Sequence, residues 1–138
     1  RPVAQETAPT AIYPLSLPGD VPLLICATLP GETHALGLQM AALILSASGL
    51  RTLYLGTEIP PPELGRLARE LGARAVAVSV SEASDAGAVK RHLTRLRDEL
   101  PRSAQLLVGG RGTPAGRTDI VTVDDFAALD RWARALRG

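Results

Sequence analysis

The residues with the clearest chemistry lie together in Pro30-Gly31-Glu32-Thr33-His34-Ala35-Leu36-Gly37, which has the spacing E-x-H-x-x-G. In an extended loop, residues two apart project to the same side, so the Glu32 carboxylate can accept a hydrogen bond from one ring nitrogen of His34. The other nitrogen is then free to bind a metal, because a carboxylate partner fixes the tautomer of a metal-binding histidine and raises its basicity. Gly37 has no Cβ and leaves room for a bulky group near the backbone.

A single histidine makes a poor site for a bare metal ion. Structural zinc takes four protein ligands and catalytic zinc three, and the only other cysteine or histidine residues are Cys26 and His92. The pattern therefore predicts a metal that arrives inside a cofactor and takes His34 as its one protein ligand.

Two later groups of small residues follow this stretch. Ser79-Val80-Ser81 begins after 41 intervening residues from Gly37, and the pair Gly109-Gly110 follows after a further 27. Serine hydroxyls can hydrogen-bond a polar tail of a ligand, and glycines let such a tail pass against bare backbone.

The elements that must position these groups alternate along the chain. Short apolar segments typical of buried parallel strands are followed by segments with helical periodicity, often ended by glycine or proline. Strands are predicted at 22–28, 51–55, 75–81, 105–108 and 119–123, and helices at 35–48, 60–72, 89–100 and from 124 onward. The helix at 35–48 is apolar nearly all round and is expected to be covered on most sides.

Five strands alternating with helices predict an α/β, doubly wound parallel sheet with the flavodoxin-like, Rossmann-like order 2-1-3-4-5. Ligands of such sheets bind at the carboxyl ends of the strands, where the strand order reverses. His34 follows strand one, Ser79 and Ser81 end strand three, and Gly109 and Gly110 end strand four. We therefore expect the three groups to meet at one rim of the sheet.

The E-x-H-x-x-G stretch resembles the cobalt-ligating motif D-x-H-x-x-G of cobalamin (B12)-binding domains, with Glu32 in place of the aspartate. In that family a serine motif, S-x-L, and a Gly-Gly pair follow, and here they correspond to Ser79-Val80-Ser81 and Gly109-Gly110, so the match spans most of 22–138. The glutamate, the serine motif without leucine, and the segments 28–32 and 53–56 are most similar to the C-terminal domain of MerR-type, B12-dependent, light-sensing transcriptional regulators.

The resemblance implies that adenosylcobalamin or methylcobalamin is bound base-off, with His34 as the metal ligand of cobalt. It implies cofactor contacts from these residues: Glu32, Thr33, His34, Gly37, Ser79, Ser81, Gly109 and Gly110. The implied role is the sensory module of a transcriptional regulator rather than an enzyme. In such regulators light removes the adenosyl group and changes oligomerisation and DNA binding, so a homo-oligomer of the full-length protein is implied.

Two other functions remain open. The first is the cobalamin-carrying part of a B12-dependent mutase or methyltransferase, which would share the lower cobalt face. The second is a domain that has lost its cofactor. A phosphoacceptor receiver has the same fold but is nearly excluded, because it needs an acidic cluster at the ends of strands one and three, where this chain has Thr28 and Ser81.

Composition limits the domain organisation, the binding partners and the location that can be expected for the chain. With 138 residues and 46% hydrophobic residues the chain is predicted to form one domain at 21–138, preceded by a proline-rich linker or arm at 1–20. The formal charge of +1, with acids and bases interspersed, gives no basic stripe for direct nucleic-acid contact. No apolar run is long enough to span a membrane, and Cys26 is the only cysteine, so the chain is expected to be cytoplasmic.

Each candidate also has a purely structural interpretation. His34 could cap the following helix, and Glu32 could be a solvated loop acid or a partner of the helix dipole. The two serines could satisfy backbone groups at a strand end. Gly109-Gly110 could be an ordinary turn between a strand and a loop.

Overall fold

A computed structural model describes residues 21–138, so the predicted linker at 1–20 lies outside the described residues. Five strands and four helices alternate in the described part. The strands are β1 Leu23–Ala27, β2 Arg51–Gly56, β3 Ala75–Ser79, β4 Gln105–Gly109 and β5 Val121–Val123. The helices are α1 Leu36–Ala47, α2 Pro61–Leu71, α3 Ala86–Glu99 and α4 Phe126–Arg137. None of these helices is both long and apolar enough to cross a membrane.

The strands form one parallel sheet in the order β2-β1-β3-β4-β5, which confirms the predicted fold class and strand order. Ala27 pairs with Val78 in the register of β1 with β3, and Ser79 pairs with Gly109 in the register of β3 with β4. The carboxyl ends of these three central strands therefore lie side by side.

Alternation along the central strands builds a hydrophobic layer on each face of the sheet. In β1, which is buried throughout, Ile25 packs in the layer that includes residues of α2 and α3, and Leu24 and Cys26 pack in the layer that includes α1 and α4. Burial raises the pKa of the Cys26 thiol to about 12, so the thiol stays neutral at physiological pH. Cys26 is the small buried hydrophobe that its position in a strand predicts.

The start of α4 is fixed by its own sequence. The Asp125 carboxylate accepts a hydrogen bond from the backbone N–H of Ala128 at 2.7 Å, which caps the helix. Phe126 begins the helix directly after this cap. Its side chain is 43% exposed, because the first turn of α4 borders a cleft rather than the packed layer.

Helix α1 is less covered than its sequence predicts. Leu38 and Leu45 are buried against the sheet, but Leu36 is 69% exposed and Leu43 is 71% exposed. The sheet and α4 cover the inner part of α1, and among the described residues no element lies over its outer face. Strand β5 is also shorter than expected and begins at Val121.

Candidate functional site

The turn after β1 directs the Glu32 side chain into the protein. The Glu32 backbone N–H donates to the Leu29 carbonyl at 3.1 Å, and Gly31 adopts a φ of +89°, a conformation that favours glycine. The buried Thr28 hydroxyl donates to the Glu32 carbonyl at 2.7 Å and accepts from the Glu58 backbone N–H at 2.9 Å. Thr28 thereby joins this turn to the loop after β2.

The Glu32 carboxylate accepts hydrogen bonds from three residues and is only 4% exposed. Ser81 donates its backbone N–H at 2.7 Å and its hydroxyl at 2.9 Å, and the Ser84 hydroxyl also donates. His34 donates its backbone N–H at 3.1 Å, and its Nδ1 lies 2.9 Å from Oε2. This arrangement, which we call the Glu32 hub (Glu32, His34, Ser81 and Ser84), excludes the interpretation of Glu32 as a solvated loop acid.

The hub holds Glu32 in its ionised form. Burial by itself would raise the pKa of the carboxyl group, but the hydrogen bonds from Ser84, Ser81 and His34 outweigh burial and lower the pKa to about 2. An ionised carboxylate can only accept hydrogen bonds, so Nδ1 of His34 carries the proton in this contact. In the neutral imidazole the lone pair is then on Nε2.

His34 presents that second nitrogen at the surface. Its side chain is 66% exposed, and Nε2 has no hydrogen-bond partner among residues 21–138. The residue that caps α1 is Ala35, without a side-chain hydrogen bond, so His34 does not cap the helix. In the described part of the chain no group of three or more histidine, cysteine or acidic residues is placed to hold a metal ion. A fixed tautomer with an exposed nitrogen suits one-point ligation of a metal that arrives within a cofactor.

A cleft of about 390 Å³ opens beside the hub, between α1, α4 and the carboxyl ends of β3 and β4. Four of the predicted site residues line it: Gly37, Ser79, Gly109 and Gly110. Gly37 and Ser79 adjoin, because a Cβ on Gly37 would lie 3.2 Å from the Ser79 hydroxyl oxygen. We call this space the α1–α4 cleft. Its size falls in the range of about 300–1,000 Å³ that is typical of small-molecule sites.

The two predicted serines therefore lie in different surroundings. The Ser81 hydroxyl is hydrogen-bonded to Glu32 within the hub. The Ser79 hydroxyl has no hydrogen-bond partner in the described structure and faces the cleft. Of the two, only Ser79 offers a free hydroxyl to a ligand there.

The two predicted glycines also differ. A Cβ on Gly110 would clash with the Val80 carbonyl oxygen, and its φ of +105° is one that residues with side chains rarely adopt. The protein's own packing thus requires glycine at this position, in agreement with the turn interpretation. A Cβ on Gly109 would meet the Val123 carbonyl oxygen at 3.4 Å and the Val123 Cβ at 3.9 Å, so internal packing does not require glycine there.

Sequence reasoning missed Ser84 and the role of Thr28, and it included Thr33. Ser84 lies in the turn before α3, where no spacing rule separates it from an ordinary loop serine. Thr28 was noted only as a residue that excludes a receiver. Thr33 is exposed and makes no side-chain hydrogen bond within the described residues, so the structure does not bring it into the hub.

Comparisons with known proteins agree with this geometry. The chain is 38% identical over 112 residues to the HTH-type transcriptional repressor CarH of Myxococcus xanthus, a match that covers 80% of this chain and 38% of the relative. Its fold is similar to the monomethylamine corrinoid protein of Methanosarcina barkeri, with a TM-score of 0.67, 20% identity and coverage of 83% of this chain and 57% of that one. It is also similar to the methanol:cobalamin methyltransferase complex MtaBC of the same organism, with a TM-score of 0.73, 17% identity and coverage of 88% and 48%.

The chain thus spans less than two thirds of each of these relatives. A family described as the B12 binding domain matches residues 22–130, from the start of β1 into α4. That range contains the Glu32 hub and all of the residues that line the α1–α4 cleft. The chain therefore belongs to the B12-binding domain family, and cobalamin is its cofactor.

Proposed function

We propose that this domain binds cobalamin base-off, with His34 as the lower axial ligand of cobalt, as the sensory module of a light-responsive, B12-dependent transcriptional regulator of the cytoplasm. The observation that carries the proposal is the hydrogen bond of 2.9 Å between Nδ1 of His34 and the ionised Glu32 carboxylate. In the neutral imidazole this bond leaves the lone pair on Nε2, which is exposed at the rim where the family binds its cofactor.

The residues of the hub and of the cleft have separate tasks in this proposal. Cobalamin, when bound, supplies the organometallic chemistry of its cobalt. Glu32 holds the imidazole of His34 in one tautomer and one orientation, and Ser81 and Ser84 hold Glu32. The cleft offers an apolar wall and the free Ser79 hydroxyl to the nucleotide tail of the cofactor.

The regulatory part of the proposal is supported by the identity of 38% to the repressor CarH and by the motifs shared with B12-dependent light sensors. A net charge of +1 gives this chain no electrostatic basis for contact with a phosphate backbone. We therefore assign DNA contact, and any homo-oligomer, to the full-length protein.

Isotope labelling of histidine tests the ligation directly, because the chain has only two histidines, His34 and His92. The 138-residue protein is loaded with hydroxocobalamin, reduced to the cobalt(II) state and examined by electron paramagnetic resonance. We expect the axial nitrogen splitting to change from three lines to two when histidine is labelled with ¹⁵N. Unchanged splitting would mean that the cofactor's own base, and not His34, binds cobalt.

Matched variants separate the two histidines. His34→Ala should lose the nitrogen splitting from histidine and the base-off, histidine-on absorption spectrum. His92→Ala removes the imidazole on α3 and should leave both signals unchanged. Loss of the splitting in His92→Ala but not in His34→Ala would contradict the proposal.

A cobalamin carrier for methyl transfer is the second candidate, because the similar folds include a monomethylamine corrinoid protein and a methanol:cobalamin methyltransferase complex. At 17–20% identity this likeness shows the fold alone. Illumination of the full-length protein loaded with adenosylcobalamin, followed by light scattering, distinguishes the two. A change of oligomeric state supports the regulator, whereas an unchanged state together with transfer of a cobalt-bound methyl group to an acceptor supports the carrier.

A further inference from the structure

The floor of the α1–α4 cleft is aliphatic. Its side chains come from α1, the sheet and α4: Leu38, Ala41, Ala77, Leu107, Val123 and Leu129. The buried polar residues of the described structure are Thr28, Glu32, Ser48 and Thr52, and none of them lines this cleft. The backbone of β3 and β4 beneath it is paired within the sheet. A group that reaches this floor therefore meets hydrocarbon, and the one free hydroxyl in the lining is that of Ser79.

Polar groups occur only at the mouth of the cleft. They belong to Ser79, Arg111, Asp124 and Asp125, and the Asp125 carboxylate already caps α4. Phe126, the first residue of α4 after the Asp125 cap, lies at the same mouth. Its side chain is 43% exposed and adds a large apolar surface there. The cleft thus offers an apolar interior and a polar entrance.

We infer that this cleft selects the lower base of the cofactor. On the basis of the proposed function, in which the base leaves cobalt and the tail enters the cleft, it favours cobamides with an apolar base of the benzimidazole or phenol type. It discriminates against cobamides with a purine base such as adenine. The amino group and ring nitrogens of adenine would lose water against an aliphatic floor, and an unpaired buried polar group weakens binding about ten-fold or more.

Three cobamides that share one corrin ring test this selectivity, with 5,6-dimethylbenzimidazole, p-cresol or adenine as the lower base. We expect the p-cresol cobamide, whose base does not ligate cobalt and need not be displaced, to bind at least as tightly as the dimethylbenzimidazole cobamide. The adenine cobamide should bind at least about ten-fold more weakly than either. Adenine is a weaker cobalt ligand than benzimidazole, so the cost of displacing the base would by itself favour the adenine form. Equal or tighter binding of the adenine cobamide would overturn the inference.

A variant that fills the cleft shows whether the base enters it. Ala41→Leu adds volume to the lining from α1, and Ala47→Leu makes the same change at an exposed position of the same helix. Ala41→Leu should weaken binding of the dimethylbenzimidazole cobamide about ten-fold without affecting binding of cobinamide, which has no base. Ala47→Leu should affect neither ligand. An equal effect of Ala41→Leu on both ligands, or no effect, would place the base outside the cleft.

The two proposals can fail separately. If none of the three cobamides gives the histidine-on spectrum with the parent protein, the proposed function fails and the inference falls with it. If all three give that spectrum with equal affinity, His34 ligation stands and the selectivity of the cleft is wrong.

Discussion

The Glu32 hub and the α1–α4 cleft adjoin at the end of β3 but are built in opposite ways. In the hub, a buried carboxylate has all its hydrogen bonds from the protein before a ligand binds, and one nitrogen of His34 is left over. In the cleft, the walls are apolar and the only free hydroxyl, among the described residues, is that of Ser79 at its edge. The hub fixes the chemistry at one atom, whereas the cleft sets the shape and polarity of what can lie beside it.

Gly110 tests where the boundary between these two regions lies, because it lines the cleft but packs on Val80. Gly110→Ala should lower the free energy of unfolding of the cofactor-free protein by about 3 kcal/mol, from backbone strain together with the clash with the Val80 carbonyl oxygen. Urea unfolding of the cofactor-free protein measures it. Gly116→Ala is the control, since Gly116 has a φ of +80° but open space around it, and should cost about 1 kcal/mol. If Gly110→Ala and Gly116→Ala lose the same stability, packing on Val80 does not require glycine at position 110, and ligand contact becomes the better explanation for it.

Glu32→Gln tests whether the hub acts through its negative charge. The amide keeps the shape of the carboxylate but presents an NH₂ group to donors on Ser81, Ser84 or His34, so the tautomer of the imidazole is no longer fixed. We expect cobalamin affinity to fall about 10- to 100-fold, measured by titration of the absorption spectrum. Glu58→Gln is the matched control, because the Glu58 side chain accepts from the Gly31 backbone N–H at 3.3 Å but does not contact His34. If the two variants bind cobalamin equally well, the Glu32 carboxylate has no part in ligation.

The same contrast explains what the sequence could predict. The fold follows from periodicity in the chain, and the contact of Glu32 with His34 follows from local spacing, so both were predictable from single segments. The site at the strand ends then followed from topology, which placed Ser79, Ser81 and Gly109 beside the loop of His34. These predictions required no knowledge of side-chain packing.

The remaining features depend on packing in three dimensions. The bond from Ser84 to Glu32 crosses 52 positions of sequence and depends on how the turn before α3 folds back. The exposure of Leu43 and Phe126 depends on which neighbours are absent, and an apolar residue that faces a neighbour has the same sequence pattern as one that faces an open cleft. The difference between Ser79 and Ser81 likewise depends on which of them Glu32 can reach.

The two serines give the finest test of the comparison, beginning with the one in the hub. Ser81→Ala removes a hydroxyl that donates to both carboxylate oxygens of Glu32 at 2.9 and 3.0 Å, although the backbone N–H of residue 81 can still donate. The cofactor-free protein should lose about 1–2 kcal/mol of stability in urea unfolding, because a buried charged acceptor loses one of its donors. Unchanged stability would mean that the remaining donors satisfy Glu32 without this hydroxyl.

Ser79→Ala should have the smallest effect on the cofactor-free protein and a measurable effect only when the cofactor is bound. Because the Ser79 hydroxyl has no hydrogen-bond partner in residues 21–138, its loss should change the free energy of unfolding by less than about 0.5 kcal/mol. If this hydroxyl bonds to the cofactor tail, its removal should weaken cobalamin binding about five-fold, the effect of losing one neutral hydrogen bond. Cobinamide, which lacks the tail, should bind both proteins equally. If Ser79→Ala binds cobalamin as tightly as the parent protein, the Ser79 hydroxyl does not bond to the tail, and the cleft contributes only its apolar surface.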